Sequence, residues 1–249
     1  VTFLSGPLPR IIAHRGLAIE APENTLLAFL RALNAGATHL ETDVHASADG
    51  VAVISHDPDL SRTAGRPVEI SRLTMAELRR VDLGHGQGYC SLTEALDTFP
   101  QARFNIDIKD ADSALPAARA IRDARATDRV LITSFDERRR RAAADALPGV
   151  ASSASVTSVL LAIAGAKLGI TALVRRALRG LVAVQIPERR GLLRLVTART
   201  VSVLHRAGVE IHVWTVNEPK QMTRLLDLGV DGLVTDRCDV LKALVASRN

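Results

Sequence analysis

The sequence predicts a single closed (β/α)8 barrel, and three observations carry that prediction. The chain has 249 residues, and a barrel of this type takes about 250. Short β-branched runs alternate with helical stretches along its length, the pattern of a parallel sheet with crossover helices. No Pro/Gly/Ser linker, short-period repeat or low-complexity tract divides it, so residues 1–249 are read as one domain. Composition agrees: 47% hydrophobic and 24% charged residues are enough to form a core and rule out disorder or collagen. Aromatics are scarce (Phe 5, Trp 1, Tyr 1), so the core must be aliphatic. A nucleic-acid surface built on base stacking is correspondingly disfavoured.

The first strand is read at residues 11–13. Asn24 or Thr25 then caps a helix whose Leu26, Phe29, Leu30 and Leu33 keep helical spacing, and Gly36 ends it. Strand-like runs follow at 39–44, 51–55, 104–108, 130–133, 150–152, 182–186, 209–214 and 232–234. Helical stretches are expected at 114–125, 136–147, 196–207, 220–228 and 239–247. About eight such units fit a closed barrel better than an open sheet. Two places break the rhythm. Residues 57–91, rich in Gly and Pro, are read as a loop-rich insertion after the second strand, with a short helix at 74–81. The apolar stretch 156–181 is too long for one helix and is expected to divide at Gly165 and Gly169. Within it, residues 156–174 are interrupted by Lys167 and followed by Arg175-Arg176. Spanning a bilayer takes about 20 clean apolar residues, so a buried or interfacial segment is expected.

The net charge of +5 and a pI near 9.8 favour anionic partners: phosphate esters, acidic lipid or nucleic acid. Cys90 and Cys238 cannot by themselves make a disulfide scaffold or a four-ligand zinc site. The chain starts at Val1 and not at Met, which reads as a processed or trimmed start. A cytoplasmic or membrane-peripheral location is expected, with an exported form left open.

The residues that carry chemistry lie at predicted strand ends, where barrels project catalytic side chains. His14-Arg15-Gly16 follows the first strand: the imidazole can move protons near neutral pH and the guanidinium can grip a phosphate. Glu41 and Asp43, two residues apart, share one strand face. Like charges on a buried face need a cation or a donor network, and hard oxygens suit Mg²⁺ or Ca²⁺. Asp107 and Lys109 repeat the arrangement, as a third carboxylate with a phosphate-binding ammonium or as a simple ion pair. His56 supplies a second imidazole, so an acid and a base are available for phosphodiester cleavage. Neither a Gly-x-Ser-x-Gly elbow nor a Walker-type loop is present, which argues against serine hydrolases and NTPases. Arg138–Arg141 reads as a solvated helix face.

Taken together, His14-Arg15-Gly16, Pro22-Glu23-Asn24-Thr25, Glu41-Thr42-Asp43-Val44 and His56-Asp57 resemble the amino-terminal signature of the glycerophosphodiester phosphodiesterase family. Trp214 to Asn217, with Gly229-Val230-Asp231-Gly232 leading into Thr235-Asp236-Arg237, resemble its carboxy-terminal signature. The resemblance spans nearly the whole chain and is weakest over about 111–182. It implies a TIM barrel with an inserted subdomain after the second strand. It also implies one divalent cation, Mg²⁺ or Ca²⁺, on Glu41, Asp43 and Asp107. His14 and His56 would be the catalytic pair, with Arg15 and Lys109 on the phosphate. The sequence departs from the family at Asp107, where Glu is usual, and at Cys238, where Pro is usual. A strand-end thiol at Cys238 could confer sensitivity to oxidation. Trp214 is expected to wall the substrate or to pack in the core.

The expected reaction is metal-dependent cleavage of a glycerophosphodiester to glycerol 3-phosphate and an alcohol, with His14 as base and His56 as acid. The nearest rival is a lysophospholipase D using the same centre, with the apolar stretch near residue 156 housing an acyl chain. A rival of another class is an inactive barrel bound to an anion or membrane. Retention of His14, Glu41, Asp43, His56 and an acidic residue at 107 argues against it. A small-molecule substrate without nucleic acid is expected, and peripheral membrane contact is left open.

Overall fold

A computed structural model describes residues 2–248, so Val1 and Asn249 lie outside the described residues. Eight parallel strands form the barrel: β1 (Arg10–Ala13), β2 (His39–Ala46), β4 (Phe104–Ile108), β5 (Val130–Thr133), β6 (Ala151–Ser152), β7 (Ala183–Pro187), β10 (Glu210–Trp214) and β11 (Gly232–Thr235). Neighbours in sequence are neighbours in the sheet, and β1 pairs with β11. The short β6 meets β7 through a single parallel bridge, Ser153 to Ala183, which brings the ring nearly to closure. Outside it lie α1 (Leu26–Asn34), α4 (Leu92–Thr98), α5 (Ala114–Asp123), α6 (Glu137–Asp145), α7 (Val156–Leu168), α8 (Thr171–Ala177), α9 (Ala198–Arg206), α10 (Pro219–Asp227) and α11 (Cys238–Ala246). The main core is aliphatic, filling the layer between strands and helices, with Phe29 set edge-on to Phe99 and Phe104.

Several local expectations need correction. Residues 51–55 form no barrel strand. As β3 (Ala52–Ile54) they turn back antiparallel on β2, Val44 opposite Ile54. Asp49-Gly50 carries the turn, with Gly50 at φ +72°, a conformation glycine adopts without steric cost. The insertion contains α2 (Ser61–Ala64) and α3 (Met75–Leu78). It packs as a second small core around Leu60, Ile70, Leu78 and Tyr89, so it is more ordered than its composition suggests. Sequence reading missed α4, although Ser91 and Glu94 form a reciprocal capping box that marks its start. Gly165 does not divide the apolar stretch. It lies inside α7, where a Cβ would stand 2.9 Å from Val174, and only Gly169, at φ +76°, ends the helix. Arg138–Arg141 is not a uniformly solvated face. Arg140 is buried against Glu137 and Ser152, and Arg139 donates to the Lys109 carbonyl. Also unforeseen is a hairpin of β8 (Arg189–Arg190) and β9 (Leu193–Arg194) directly after β7.

The end of the barrel opposite the strand C-termini is held by buried polar groups. Arg10 pairs with Glu210 at 2.8 Å, and Glu210 accepts from His212 at 3.0 Å. His39, nearly fully buried, donates from Nε2 to the Phe3 carbonyl (2.8 Å) and meets Thr38 Oγ1 at Nδ1 (2.8 Å). Burial, reinforced by nearby His212, Arg103 and Arg10, pushes its pKa from 6.5 down to about 3. The unfolded chain therefore takes up this proton near pH 6.5 and the folded chain only near pH 3. Its contribution is complete above about pH 6.5 and is lost as the pH falls toward 3. Between pH 7 and pH 5 wild type is expected to lose about 2 kcal/mol more stability than His39→Gln. Denaturant titrations at the two pH values check this, and equal losses would reject it.

Candidate active site

At the end of β1 the backbone turns sharply. Arg15 sits at φ +55° and Gly16 at φ +84°. Gly16 cannot carry a side chain, because a Cβ would come within 2.7 Å of the Ala28 backbone. The Arg15 N–H donates to Glu41 Oε2 (3.1 Å) and its carbonyl accepts from Asn24 N (2.9 Å), which fixes the strained residue. The side chain then reaches Glu23 (3.0 Å) and Asp43 (3.3 Å). His14 donates from Nδ1 to Asp236 Oδ1 at 2.7 Å, which leaves Nε2 as the proton-accepting nitrogen. Asp236 is itself held by Asn217, whose Nδ2 donates at 2.7 Å and whose Oδ1 accepts from the Asp236 N–H at 2.9 Å. Burial resists charging of His14, but the Asp236 hydrogen bond and the nearby Glu41 charge outweigh it and raise its pKa.

Glu41 and Asp43 on β2 are both buried, and Asp43 lies in register with Asp107 on β4. The Lys109 ammonium stands between the two aspartates, 2.8 Å from Asp43 Oδ1 and 2.7 Å from Asp107 Oδ2. Burial works against the Asp43 charge, but Lys109 and Arg15 hold its pKa below the usual carboxylate range. Asn24 Nδ2 also donates to Asp43 Oδ2 at 3.0 Å. Burial raises the other two, and Asp107 stays above its ordinary value even with Lys109 on it. For Glu41, burial and the adjacent Asp43 raise the pKa, and no cation pairs with it as Lys109 does with the aspartates. Three buried hard-oxygen donors, two of them held above their ordinary pKa by burial, are chemically suited to a divalent cation. Among the described residues, no three carboxylate, imidazole or thiol side chains already form a metal cage.

His56 reaches this centre by the return of β3, which leaves Ser55 N–H bonded to the Asp43 carbonyl at 3.0 Å. Its Nδ1 meets Asp57 Oδ1 at 2.7 Å, the same tether that His14 has. Arg62, from the insertion, bonds Asp57 (2.5 Å) and Glu23 (2.6 Å), and Glu23 in turn bonds Arg15. His45 spans Asp110 (2.6 Å) and the His56 carbonyl (3.2 Å), which fixes the backbone behind the imidazole.

Of the residues singled out from sequence, His14, Arg15, Glu41, Asp43, Asp107 and Lys109 are drawn into this one linked cluster, with His56 tied in through Asp57 and Arg62. Trp214 stands at the mouth, half-buried and edge-on to Phe135 at 5.9 Å. Cys238 is buried, and burial pushes its thiol up to about 11, which leaves little reactive thiolate near neutral pH. The orienting residues Asp236, Asn217, Arg62, His45 and Asp110 were not assigned from sequence. Asp236 and Asn217 sit inside the carboxy-terminal motif, but their partnership with His14 spans some two hundred positions.

A profile of the "Glycerophosphoryl diester phosphodiesterase family" matches residues 14–240. A Mycobacterium tuberculosis protein named "Probable glycerophosphodiester phosphodiesterase 2" is 41% identical, over 95% of this chain and 90% of its own length. A mouse lysophospholipase D is 27% identical over 94% of this chain and 85% of its own. Among solved structures, an Oleispira antarctica phosphodiesterase in complex with the product sn-glycerol-3-phosphate superposes with a TM-score of 0.79. It is 24% identical and covers 96% of this chain and 97% of its own. That superposition bears on the fold.

Proposed function

The chain belongs to the glycerophosphoryl diester phosphodiesterase family and is an enzyme of that class, and from this premise we propose how its own residues divide the work. The substrate is a small glycerophosphodiester, cleaved to glycerol 3-phosphate and an alcohol. One observation carries the reading: two histidines, each tethered at Nδ1 to a carboxylate, accompany buried carboxylates that are paired with Arg15 and Lys109.

Glu41, Asp43 and Asp107 would hold a divalent cation, and Mg²⁺ or Ca²⁺ there would neutralise charge on the phosphoryl oxygens. Arg15 and Lys109 bind the phosphate, and Glu23 and Arg62 keep the Arg15 guanidinium aimed inward. His14 Nε2 removes the proton from the attacking hydroxyl, either of water or of the substrate's own glycerol 2-hydroxyl. Asp236 stabilises the imidazolium that forms. His56 delivers a proton to the leaving alcohol, oriented by Asp57.

A lysophospholipid is the second reading. It is favoured by the outward leucines of α7, Leu160 and Leu161, which could meet an acyl chain. Hydrolysis of glycerophosphocholine and lysophosphatidylcholine, each measured with Mg²⁺, Ca²⁺ or chelator, separates the two. Release of neither glycerol 3-phosphate from the first nor lysophosphatidate from the second would reject the reading.

The short ligand at position 107 gives a further expected result. Asp places its oxygen about 1.5 Å short of where Glu would, and Ca²⁺ tolerates a longer, looser shell than Mg²⁺ does. Asp107→Glu is expected to stay active and to shift the ratio of Mg²⁺- to Ca²⁺-supported rates toward Mg²⁺, by about threefold or more. Rates against each cation check it, and an unchanged ratio would mean that this carboxylate does not set cation preference.

A further inference from the structure

Charge is distributed unevenly along the chain. Residues 146–209 carry nine basic side chains and one carboxylate, Glu188, for a net +8, whereas the rest of the chain nets −3. The same quarter of the sequence holds seven of the twelve exposed large hydrophobic residues. Basic and apolar side chains therefore gather on one sector, formed by β6, β7, α7, α8, α9 and the hairpin.

The hairpin is the sharpest feature of that sector. Its sequence, Arg189-Arg190-Gly191-Leu192-Leu193-Arg194, puts two adjacent leucines at the tip with arginines on both sides. Leu192 is fully exposed (103%) and Leu193 about half (48%). Neither is there for want of a fold around it, because the base of the hairpin is firmly held. Glu188, itself buried, accepts from Arg224 (2.5 Å) and Gln221 (2.7 Å), and its carbonyl accepts from Leu195 N (2.9 Å). The tip is thus presented to solvent by a clamped stem.

Register places this tip on the rim of the catalytic mouth. Pro187, just before the hairpin stem, is opposite Trp214 at the C-terminal end of β10. Trp214 packs on Phe135, which is 59% exposed, and the Phe135 carbonyl accepts from the first residue of α7, Val156. From there α7 carries Leu160 and Leu161 outward. Apolar side chains so aligned beside a basic field suit a two-part partner, negative at its surface and apolar just beneath.

We infer that this rim docks on an anionic lipid bilayer, with Leu192 and Leu193 inserted among the headgroups and Arg190 on lipid phosphates. Beside it are Arg189 and Arg194, which are half-exposed and stand 3.5 and 3.9 Å from Glu188. Arginine and leucine in this arrangement match the interfacial region, where apolar insertion and attraction to anionic lipid act together. Nucleic acid fits less well, since it would leave the leucine tip in water. Docking would turn the mouth of the barrel toward the surface. The inference does not depend on the substrate assigned above.

The test is co-sedimentation of the full chain with vesicles of phosphatidylcholine alone and of phosphatidylcholine mixed with phosphatidylglycerol. Binding is expected to the mixed vesicles only and to weaken as salt rises. The double variant Leu192→Asp, Leu193→Asp is expected to lower partitioning about tenfold or more with an unchanged unfolding midpoint. Arg190→Glu should lower it several-fold and reduce its salt dependence. Failure of the wild-type chain to sediment with mixed vesicles at low salt would overturn the inference. So would unchanged binding by the folded leucine variant, or binding to duplex DNA or RNA without binding to vesicles.

Discussion

His14→Ala is expected to lower kcat on a glycerophosphodiester by about 10²–10⁴-fold, the range for loss of a positioned acid–base group. The fold should survive, because the His14 side chain lies at the mouth and adds nothing to the aliphatic core. His56→Ala is expected to cost a similar factor on alkyl diesters, but the two variants should part company when the leaving group changes. An alcohol that departs readily without a proton, such as p-nitrophenol, removes the need for the acid and not for the base. His56→Ala should therefore recover most of its rate on a p-nitrophenyl ester, while His14→Ala should stay slow. The opposite pattern would exchange the two roles, and near wild-type rates in either folded variant would remove that histidine from the mechanism. Asp236→Asn keeps the size of its parent but weakens support for the imidazolium. It should lower kcat with little change in KM, as expected of a residue that positions His14.

Glu41→Gln is expected to separate stability from function. Glu41 is a buried carboxylate beside Asp43 with one backbone N–H on it at 3.1 Å and no comparable cation. Removing its charge relieves repulsion and desolvation, so in chelator the variant should be as stable as wild type or more stable by about 1–2 kcal/mol. The same change removes an oxygen charge from the proposed cation site. Loss of groups that merely support metal ligands costs 10–100-fold in affinity, so losing this ligand should cost at least about 100-fold. Exhaustive chelation of wild type should abolish turnover, and Mg²⁺ or Ca²⁺ should raise the unfolding midpoint of wild type but not of Glu41→Gln. Full turnover in chelator, or an equal midpoint rise in both proteins, would show that the carboxylates hold no cation.

Much of this was legible in the chain itself, for reasons that are local. A period of two puts Glu41 and Asp43 on one face wherever a strand forms, and the same holds for Asp107 and Lys109. Alternation of strands and helices implies a parallel sheet, and length then favours closure. Capping and turn signals are equally local, as at Ser91 with Glu94 and at Asp49-Gly50. Gly165 misled because a glycine reads as a break in a helix, yet here its missing side chain is what lets α7 approach Val174.

The linear sequence thus determined the barrel, the strand ends that bear chemistry and the residue types available there, because periodicity and propensity act within a few residues. It could not determine which cation meets which carboxylate. Lys109 stands between Asp43 and Asp107 because two neighbouring strands pair in register, and Asp236 tethers His14 because β11 closes the ring against β1. Arg62 reaches Glu23 only because the insertion folds back toward the amino-terminal turn. The Lys109–Asp43, His14–Asp236 and Arg62–Glu23 contacts join residues tens to hundreds of positions apart. Their geometry depends on the cost and gain of packing the whole chain, and so tertiary structure alone decided them.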